Sequence, residues 1–233
     1  MCSSDLLAKY GVKIENVDGA HRHYLVPGKQ HFKAQDSKVE GDWSQAAFWT
    51  VGGALGAGIT ASGVDFASLQ GDKSVVEIMQ RMGADITKAS DSVTVNSGAT
   101  QATVIDASNC PDIIPVLTVL AAVSEGTTKI INAGRLRIKE CDRLAAMTSE
   151  LNKMGAEITE EAEGLTITGK PKGLCGGVEV DAWNDHRIAM SLAIAAQCCA
   201  EPITLTGAGS VSKSYPDFWE DYKSVGGKIE VLA

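Results

Sequence analysis

Aromatic residues are scarce in this 233-residue chain, at 5% of positions, whereas glycines number 24. So few rings exclude an aromatic binding groove and fit close-packed strand–turn–helix units. Basic residues are outnumbered, 21 Lys plus Arg against 29 Asp plus Glu, for a net charge of −8. That balance argues against a nucleic-acid surface over most of the chain. Any anion site is therefore a local basic cluster on an acidic background.

Cysteines are present but wrongly spaced for a framework. The six stand at positions 2, 110, 141, 175, 198 and 199, with no CxxC pair and no His at zinc-ligand spacing. No disulfide scaffold or metal site is expected, and reduced thiols in a cytoplasm are the default. Met1 is followed by Cys2-Ser3-Ser4-Asp5, which lacks the apolar run of a signal peptide. Trp43 to Val64 carries no charge and is long enough to span a membrane, but it holds five glycines together with Ser44, Gln45, Thr50, Thr60 and Ser62. It reads as a helix, a turn and a strand, and the protein as soluble, without a membrane partner. There is no phosphate-cradling Gly loop, no GxGxxG after a strand and no nucleophile elbow, which disfavours nucleotide hydrolases and serine hydrolases.

What the chain does have is a repeat. Lys9-Tyr10-Gly11-Val12-Lys13-Ile14, Arg81-Met82-Gly83-Ala84-Asp85-Ile86, Lys153-Met154-Gly155-Ala156-Glu157-Ile158 and Ser224-Val225-Gly226-Gly227-Lys228-Ile229 are versions of one phrase. Their glycines step by 72, 72 and 71 residues. Each phrase reads as a helix, a Gly C-cap and a strand, and in the first three a second strand follows as a hairpin (His23–Val26, Ser92–Val95, Leu165–Ile167). Out of phase with it, Asp42, Asp112 and Asp185 lie 70 and 73 residues apart, each opening an apolar helical run. Those runs are Ala46–Leu55, Ile113–Val123 and Ile188–Cys198, each followed by a Thr/Ile strand ending in Gly63, Gly134 or Gly207.

The predicted unit is strand–helix–strand–helix–strand–strand, an α/β (α+β) architecture repeated nearly three times from about residue 38. Residues 1–35 hold only the tail of a unit, and the last unit ends after one strand. The expected organisation is a remnant plus linker over 1–35 and a domain over 36–233, with repeats at about 38–100, 101–170 and 171–233. A chain that begins mid-unit reads as part of a longer protein.

Charge concentrates at the helix starts. Asp is a preferred N-cap, which accounts for any one of the three repeated aspartates taken singly. The company of Asp112 and Asp185 adds a functional reading. Arg135-Leu136-Arg137-Ile138-Lys139-Glu140-Cys141-Asp142-Arg143 holds four cations in nine residues. Lys139 and Arg143 there oppose the acidic preference of helix starts, which fits a bound anion. A solvated face with Glu140–Arg143 and Lys139–Arg143 at helical spacing fits the same pattern. Asn184-Asp185-His186-Arg187 sets a carboxylate, an imidazole and a guanidinium at the equivalent start one repeat on, suited to bidentate anion capture. His186 serves there as a hydrogen-bonder or a proton carrier. Lys213 occupies the matching turn of the third unit. If the units surround a pseudo-threefold axis, these residues form a cationic funnel with carboxylates able to move protons, suited to a small, multiply anionic substrate.

Val39-Glu40-Gly41-Asp42, Leu69-Gln70-Gly71-Asp72, Pro111-Asp112, Arg137-Ile138-Lys139-Glu140-Cys141-Asp142-Arg143, Asn184-Asp185-His186-Arg187 and Ser212-Lys213-Ser214-Tyr215-Pro216-Asp217 occur in this order. With these strings the chain resembles, over essentially its whole length, the C-terminal half of the 5-enolpyruvylshikimate-3-phosphate synthase family of enolpyruvyl transferases. The resemblance implies an inverse α/β barrel of three repeats per domain, with the active site between two domains. It implies transfer of the enolpyruvyl group of phosphoenolpyruvate to the 5-hydroxyl of shikimate 3-phosphate in the shikimate pathway, without metal or organic cofactor, at the glyphosate target. Carried over, Asp112 is the base toward the 5-hydroxyl and a shikimate 3-phosphate contact, and Lys139 a second contact. Glu140 moves a proton at the methylene carbon. Arg143, Arg187 and Lys213 hold phosphoenolpyruvate, supported by His186 and Asp185, and Lys213 counts with Asp112 and Glu140 as catalytic.

Two positions depart from the family pattern: Arg135 stands where many members have a substrate-contacting Asn, and Cys141 replaces a Thr or Ser. The family's amino-terminal Lys-Ser, an Arg of the phosphoenolpyruvate site and the Ser/Gln cluster for the 3-phosphate belong to the other half. That missing N-terminal domain is therefore the expected partner. The expected location is the cytoplasm, or the plastid stroma for a plant source. The alternatives are a non-catalytic anion-binding module and a sibling transferase acting on a UDP-sugar; the K-E-x-D-R and N-D-H-R strings argue against the latter.

Overall fold

The computed structural model describes residues 3–19 and 22–232. Cys2 of the sequence reading lies outside them, and the other five cysteines are free thiols. The chain opens with α1 (Ser3–Lys9), β1 (Glu15–Asn16) and β2 (Tyr24–Leu25), the last two an antiparallel pair. α2 (Trp43–Leu55), β3 (Ile59–Ser62), α3 (Ser74–Arg81), β4 (Asp85–Lys88) and β5 (Ser92–Asn96) follow. The next unit is β6 (Val104–Asp106), α4 (Ile114–Val123), β7 (Thr127–Ile131), α5 (Arg143–Lys153), β8 (Glu157–Glu161) and β9 (Gly164–Thr168). The last comprises β10 (Glu179–Asp181), α6 (His186–Ala196), β11 (Thr204–Thr206) and α7 (Phe218–Ser224).

α2, α4 and α6 pack on one another at the centre. Their sequences explain why: Ile114-Pro115-Val116-Leu117-Thr118-Val119-Leu120-Ala121-Ala122 is buried throughout, and so is His186–Ala195. A helix that is apolar on every side must be enclosed. The sheets lie outside it, in the orders β3-β5-β4, β6-β7-β9-β8 and β10-β11. β6–β7 and β10–β11 are parallel pairs bridged by α4 and α6, and the remaining pairs are antiparallel. Helices inside and sheets outside make an inverse α/β barrel. α3 and α5 are amphipathic and bury one stripe each, Val75, Val76, Ile78 and Met79 in the first and Leu144, Met147 and Leu151 in the second.

The glycines of the repeated phrase behave as their positions require. Gly11, Gly83, Gly155 and Gly226 all have positive φ, between 82° and 101°, the left-handed turn that ends a helix without a Cβ penalty. The uncharged stretch from Trp43 forms α2, a turn and β3, and no helix among the described residues is long and apolar enough to cross a membrane.

Two expected strands do not form. Residues 38–41 are irregular; Gly41 N–H donates to Gly63 O at 2.9 Å, but no ladder develops. Residues 228–232 are likewise irregular, because no described strand runs beside them to complete a pair. The full six-element unit is therefore seen only in the middle repeat.

Candidate active site

Of the three repeated aspartates, two cap their helices. Asp42 accepts from Ser44 N–H and Asp185 from Arg187 N–H, each at 2.8 Å. Asp112 does not. It sits in a 3-10 turn over Pro111–Ile113 that leads into α4, with no cap hydrogen bond, so its carboxylate is free to face elsewhere. It meets Arg143 Nη1 at 2.8 Å and Lys139 Nζ at 3.1 Å, both through Oδ1, while Arg187 Nη2 stands 3.6 Å from Oδ2.

Arg143 is the hub. Asp142 caps α5 through Leu144 and Ala145 N–H, which leaves Arg143 to enter the interior from the first helical position. Its guanidinium is buried and binds Asp185 at 2.8 Å, Asp112 at 2.8 Å and Glu140 at 2.6 Å. The solvated-face reading of this segment is thereby corrected: the Glu140–Arg143 pair forms, but on a side chain only 1% exposed. Lys139 is not on α5 at all; it follows a 3-10 turn over Gly134–Ile138.

Arg187 joins the three helix mouths. From the start of α6 it donates to Ser44 Oγ of α2 at 3.1 Å and to the backbone O of Asp112, ahead of α4, at 3.2 Å. The starts of α2, α4 and α6 are thus brought together, with three cations around the Asp112 carboxylate. His186 Nδ1 lies 3.9 Å from both Glu140 and Asp185.

The electrostatics follow from the packing. Burial pushes the Asp112 carboxyl up, but Arg187, Lys139 and Arg143 outweigh it and hold the group below the usual carboxylate range. Asp185 is held low in the same way, chiefly by Arg143. Burial, with Arg187 beside it, lowers His186 below the ordinary imidazole value, which favours the neutral ring at pH 7.

Lys213 is not one of the cations around Asp112. It sits at the end of a 3-10 turn over Ala208–Lys213, and its Nζ donates to the backbone O of Asn184 and, at 2.9 Å, to Asn184 Oδ1. It thus flanks the cluster through the residue before Asp185. Arg135 has no ion pair with the cluster among the described residues and lines a cavity of about 510 Å³ with Ser108, Asn132 and Glu163. Among the described residues no group of three His, Cys, Asp or Glu side chains is placed to hold a metal ion.

Three contributors lie outside the candidate residues that the sequence singled out. Ser44 holds Arg187, and only its place two residues after a repeated Asp marked it. Cys141 donates its thiol to Asp185 Oδ2 at 3.6 Å and is pushed up to about 12, by burial first and by Asp185 next. Asp72, in the quoted Gln70-Gly71-Asp72 string, is raised to about 6 by burial and by Asp112, against Arg187. Its Oδ1 is buried without a hydrogen-bond partner.

A family profile described as EPSP synthase (3-phosphoshikimate 1-carboxyvinyltransferase) matches residues 1–222. A 3-phosphoshikimate 1-carboxyvinyltransferase of Clostridium kluyveri is 52% identical over 226 residues, covering 97% of this chain and 52% of that protein. The solved structure of an EPSP synthase from Acinetobacter baumannii superposes with a TM-score of 0.84 at 29% identity, covering 98% of this chain and 55% of the other. The enolpyruvyl transferase NikO from Streptomyces tendae shares the fold, with a TM-score of 0.71 at 22% identity, over 97% of this chain and 52% of its own. The chain spans about half the length of the curated relatives it matches.

Proposed function

Because the chain belongs to the EPSP synthase family, we propose that it supplies one half of an enolpyruvyl transferase acting on phosphoenolpyruvate and shikimate 3-phosphate. In this reading residues 36–233 are one of two domains and residues 1–35 belong to the other, which is the partner that completes the cleft. The location proposed is the cytoplasm. The observation that carries the proposal is the gathering of Asp112, Glu140 and Asp185 on the buried guanidinium of Arg143, with Arg187 beside them.

The roles in this reading are those that the family resemblance implies. Arg143 and Arg187 hold the carboxylate and phosphate of phosphoenolpyruvate by charge-assisted hydrogen bonds, with Lys213 as a flanking cation. His186 and Asp185 fix their orientation. Glu140, whose Oε2 meets Arg143 at 2.6 Å, gives a proton to the methylene carbon. Asp112 and Lys139 bind shikimate 3-phosphate, and Asp112 takes the proton of the 5-hydroxyl as its oxygen bonds to C2. A tetrahedral adduct results. Glu140 then removes a proton from the new methyl group, the C–O bond to phosphate breaks, and the proton held by Asp112 passes to the departing phosphate, so that the enol ether and inorganic phosphate leave with both carboxyl groups restored. Two carboxylates are needed because one accepts a proton while the other donates, and the cationic surroundings stabilise the anionic adduct.

The test is phosphate release when this chain is mixed with both substrates and the N-terminal half of the Clostridium kluyveri relative. Turnover that depends on both halves is expected. No turnover from demonstrably associated halves overturns the reading.

A further inference from the structure

α5 grips the loop between β10 and α6 at two points seven residues apart, on one stripe of the helix. Arg143 binds Asp185 at one end of the loop. Glu150 binds the other end from a position only 1% exposed. Its Oε2 accepts from Asp181 N–H at 3.0 Å and from Lys153 Nζ at 2.7 Å. Its Oε1 accepts from the Trp183 indole N–H and from Ser149 Oγ, both at 3.0 Å. Burial pushes this carboxyl up, but Lys153, Trp183 and Asp181 hold it below the usual range. It is a buried anion with four donors and no part in the chemistry described above.

The loop it holds has unusual backbone. Trp183 and Asn184 have φ of +51° and +52°. Asn adopts that region readily, but a bulky residue such as Trp does so only when its surroundings impose it. Here the Trp183 N–H is donated to the Asp181 carboxylate and the indole N–H to Glu150. The resulting kink presents the backbone O and Oδ1 of Asn184 to Lys213 Nζ, and Asp185 caps α6 immediately after.

We propose that Glu150 is a positioning residue for the anion site: by tying Asp181 and Trp183 to α5 it holds Asn184 where Lys213 docks. It thereby sets where the Lys213 ammonium stands relative to Arg143 and Arg187. The inference rests on the reading of this cleft as the phosphoenolpyruvate site. It also makes Trp183, 36% exposed, a relay residue rather than a stray surface ring.

Two measurements on the full chain test it. Calorimetric titration of phosphoenolpyruvate into the chain associated with the N-terminal half of the Clostridium kluyveri relative should show about 10-fold weaker binding in Glu150→Ala, the usual scale for a residue that orients a ligand-holding group. Glu150→Gln, which keeps one acceptor oxygen, should fall between Glu150→Ala and wild type. Trp183→Phe removes one donor without emptying the interior, and should weaken binding in the same direction even if Glu150→Ala does not fold. Because Glu150 acts through Lys213, the double variant Glu150→Ala/Lys213→Ala should bind no more than about twofold weaker than Lys213→Ala alone. Independent, additive losses overturn the proposal.

Amide hydrogen exchange supplies the second readout, which needs no ligand. Asp185 and Arg187 amides should lose protection in Glu150→Ala and in Trp183→Phe, while those of β9 keep it. Unchanged protection at Asp185 and Arg187 overturns the positioning role. If the associated wild-type halves fail to bind phosphoenolpyruvate, the functional reading falls and exchange alone decides the role of Glu150.

Discussion

Arg143 Nε donates to Asp185 Oδ2 at 2.8 Å, joining two side chains that are 1% and 0% exposed and 42 residues apart in the chain. A pair this deep is held together by complementarity, and breaking one side leaves an uncompensated buried charge. Arg143→Ala strips the guanidinium from Asp185 and Glu140 and leaves Asp112 only Lys139 and Arg187. A loss of about 3–5 kcal/mol is expected in urea unfolding followed by circular dichroism. A loss of less than about 1 kcal/mol, as for a surface residue, would show that the hub is dispensable.

Asp72 makes stability depend on pH. Its folded-state value is about 6 against an ordinary 3.8, so between those values the folded state binds more protons than the unfolded one. Stability therefore falls as pH rises through that window, and the cost is fully present above it. Asp72→Asn should gain about 1–2 kcal/mol over wild type at pH 8, after allowance for partial solvation. The gain should disappear at pH values below 3.8. Equal unfolding midpoints for the two proteins at pH 8 would contradict it.

Arg187 should decide anion affinity. It touches the starts of α2 and α4 from the start of α6, so its guanidinium is preorganised and loses little freedom on binding. Arg187→Ala should weaken phosphoenolpyruvate binding by about 30-fold, the equivalent of about 2 kcal/mol for a charge-assisted contact. Arg187→Lys should recover part of it, because a point charge lacks the fork geometry. Calorimetry showing wild-type affinity in Arg187→Ala would remove this residue from the site.

Gly71 is fixed by space. A Cβ there would stand 2.2 Å from the backbone O of Asn109, three residues before Asp112. Gly71→Ala must therefore push apart the two turns that carry Asp72 and Asp112, at about 1–3 kcal/mol, the range for overpacking. Thermal unfolding checks the stability. The same variant should also bind phosphoenolpyruvate more weakly, and a neutral result in both assays would show that the turns move freely.

The sequence determined the units and the charged residues that stand near their helix starts. Glycine spacing marked the helix ends, since only glycine reaches φ near +90° without strain, and uniformly apolar runs marked α4 and α6 as buried helices. The K-E-x-D-R and N-D-H-R strings marked the charged set through their resemblance to the family. Tertiary structure alone decided which aspartate caps and which faces the cations: Asp42, Asp112 and Asp185 look alike as helix-start residues, yet only Asp112 is left uncapped, by the 3-10 turn beneath it. It also decided that Arg143 is a buried hub, that Lys213 docks on Asn184, and that the flanking strands at 38–41 and 228–232 do not form. Periodicity records what one segment prefers. Ion pairing, burial and strand ladders each require a second segment, and its distance and direction exist only once the helices have packed.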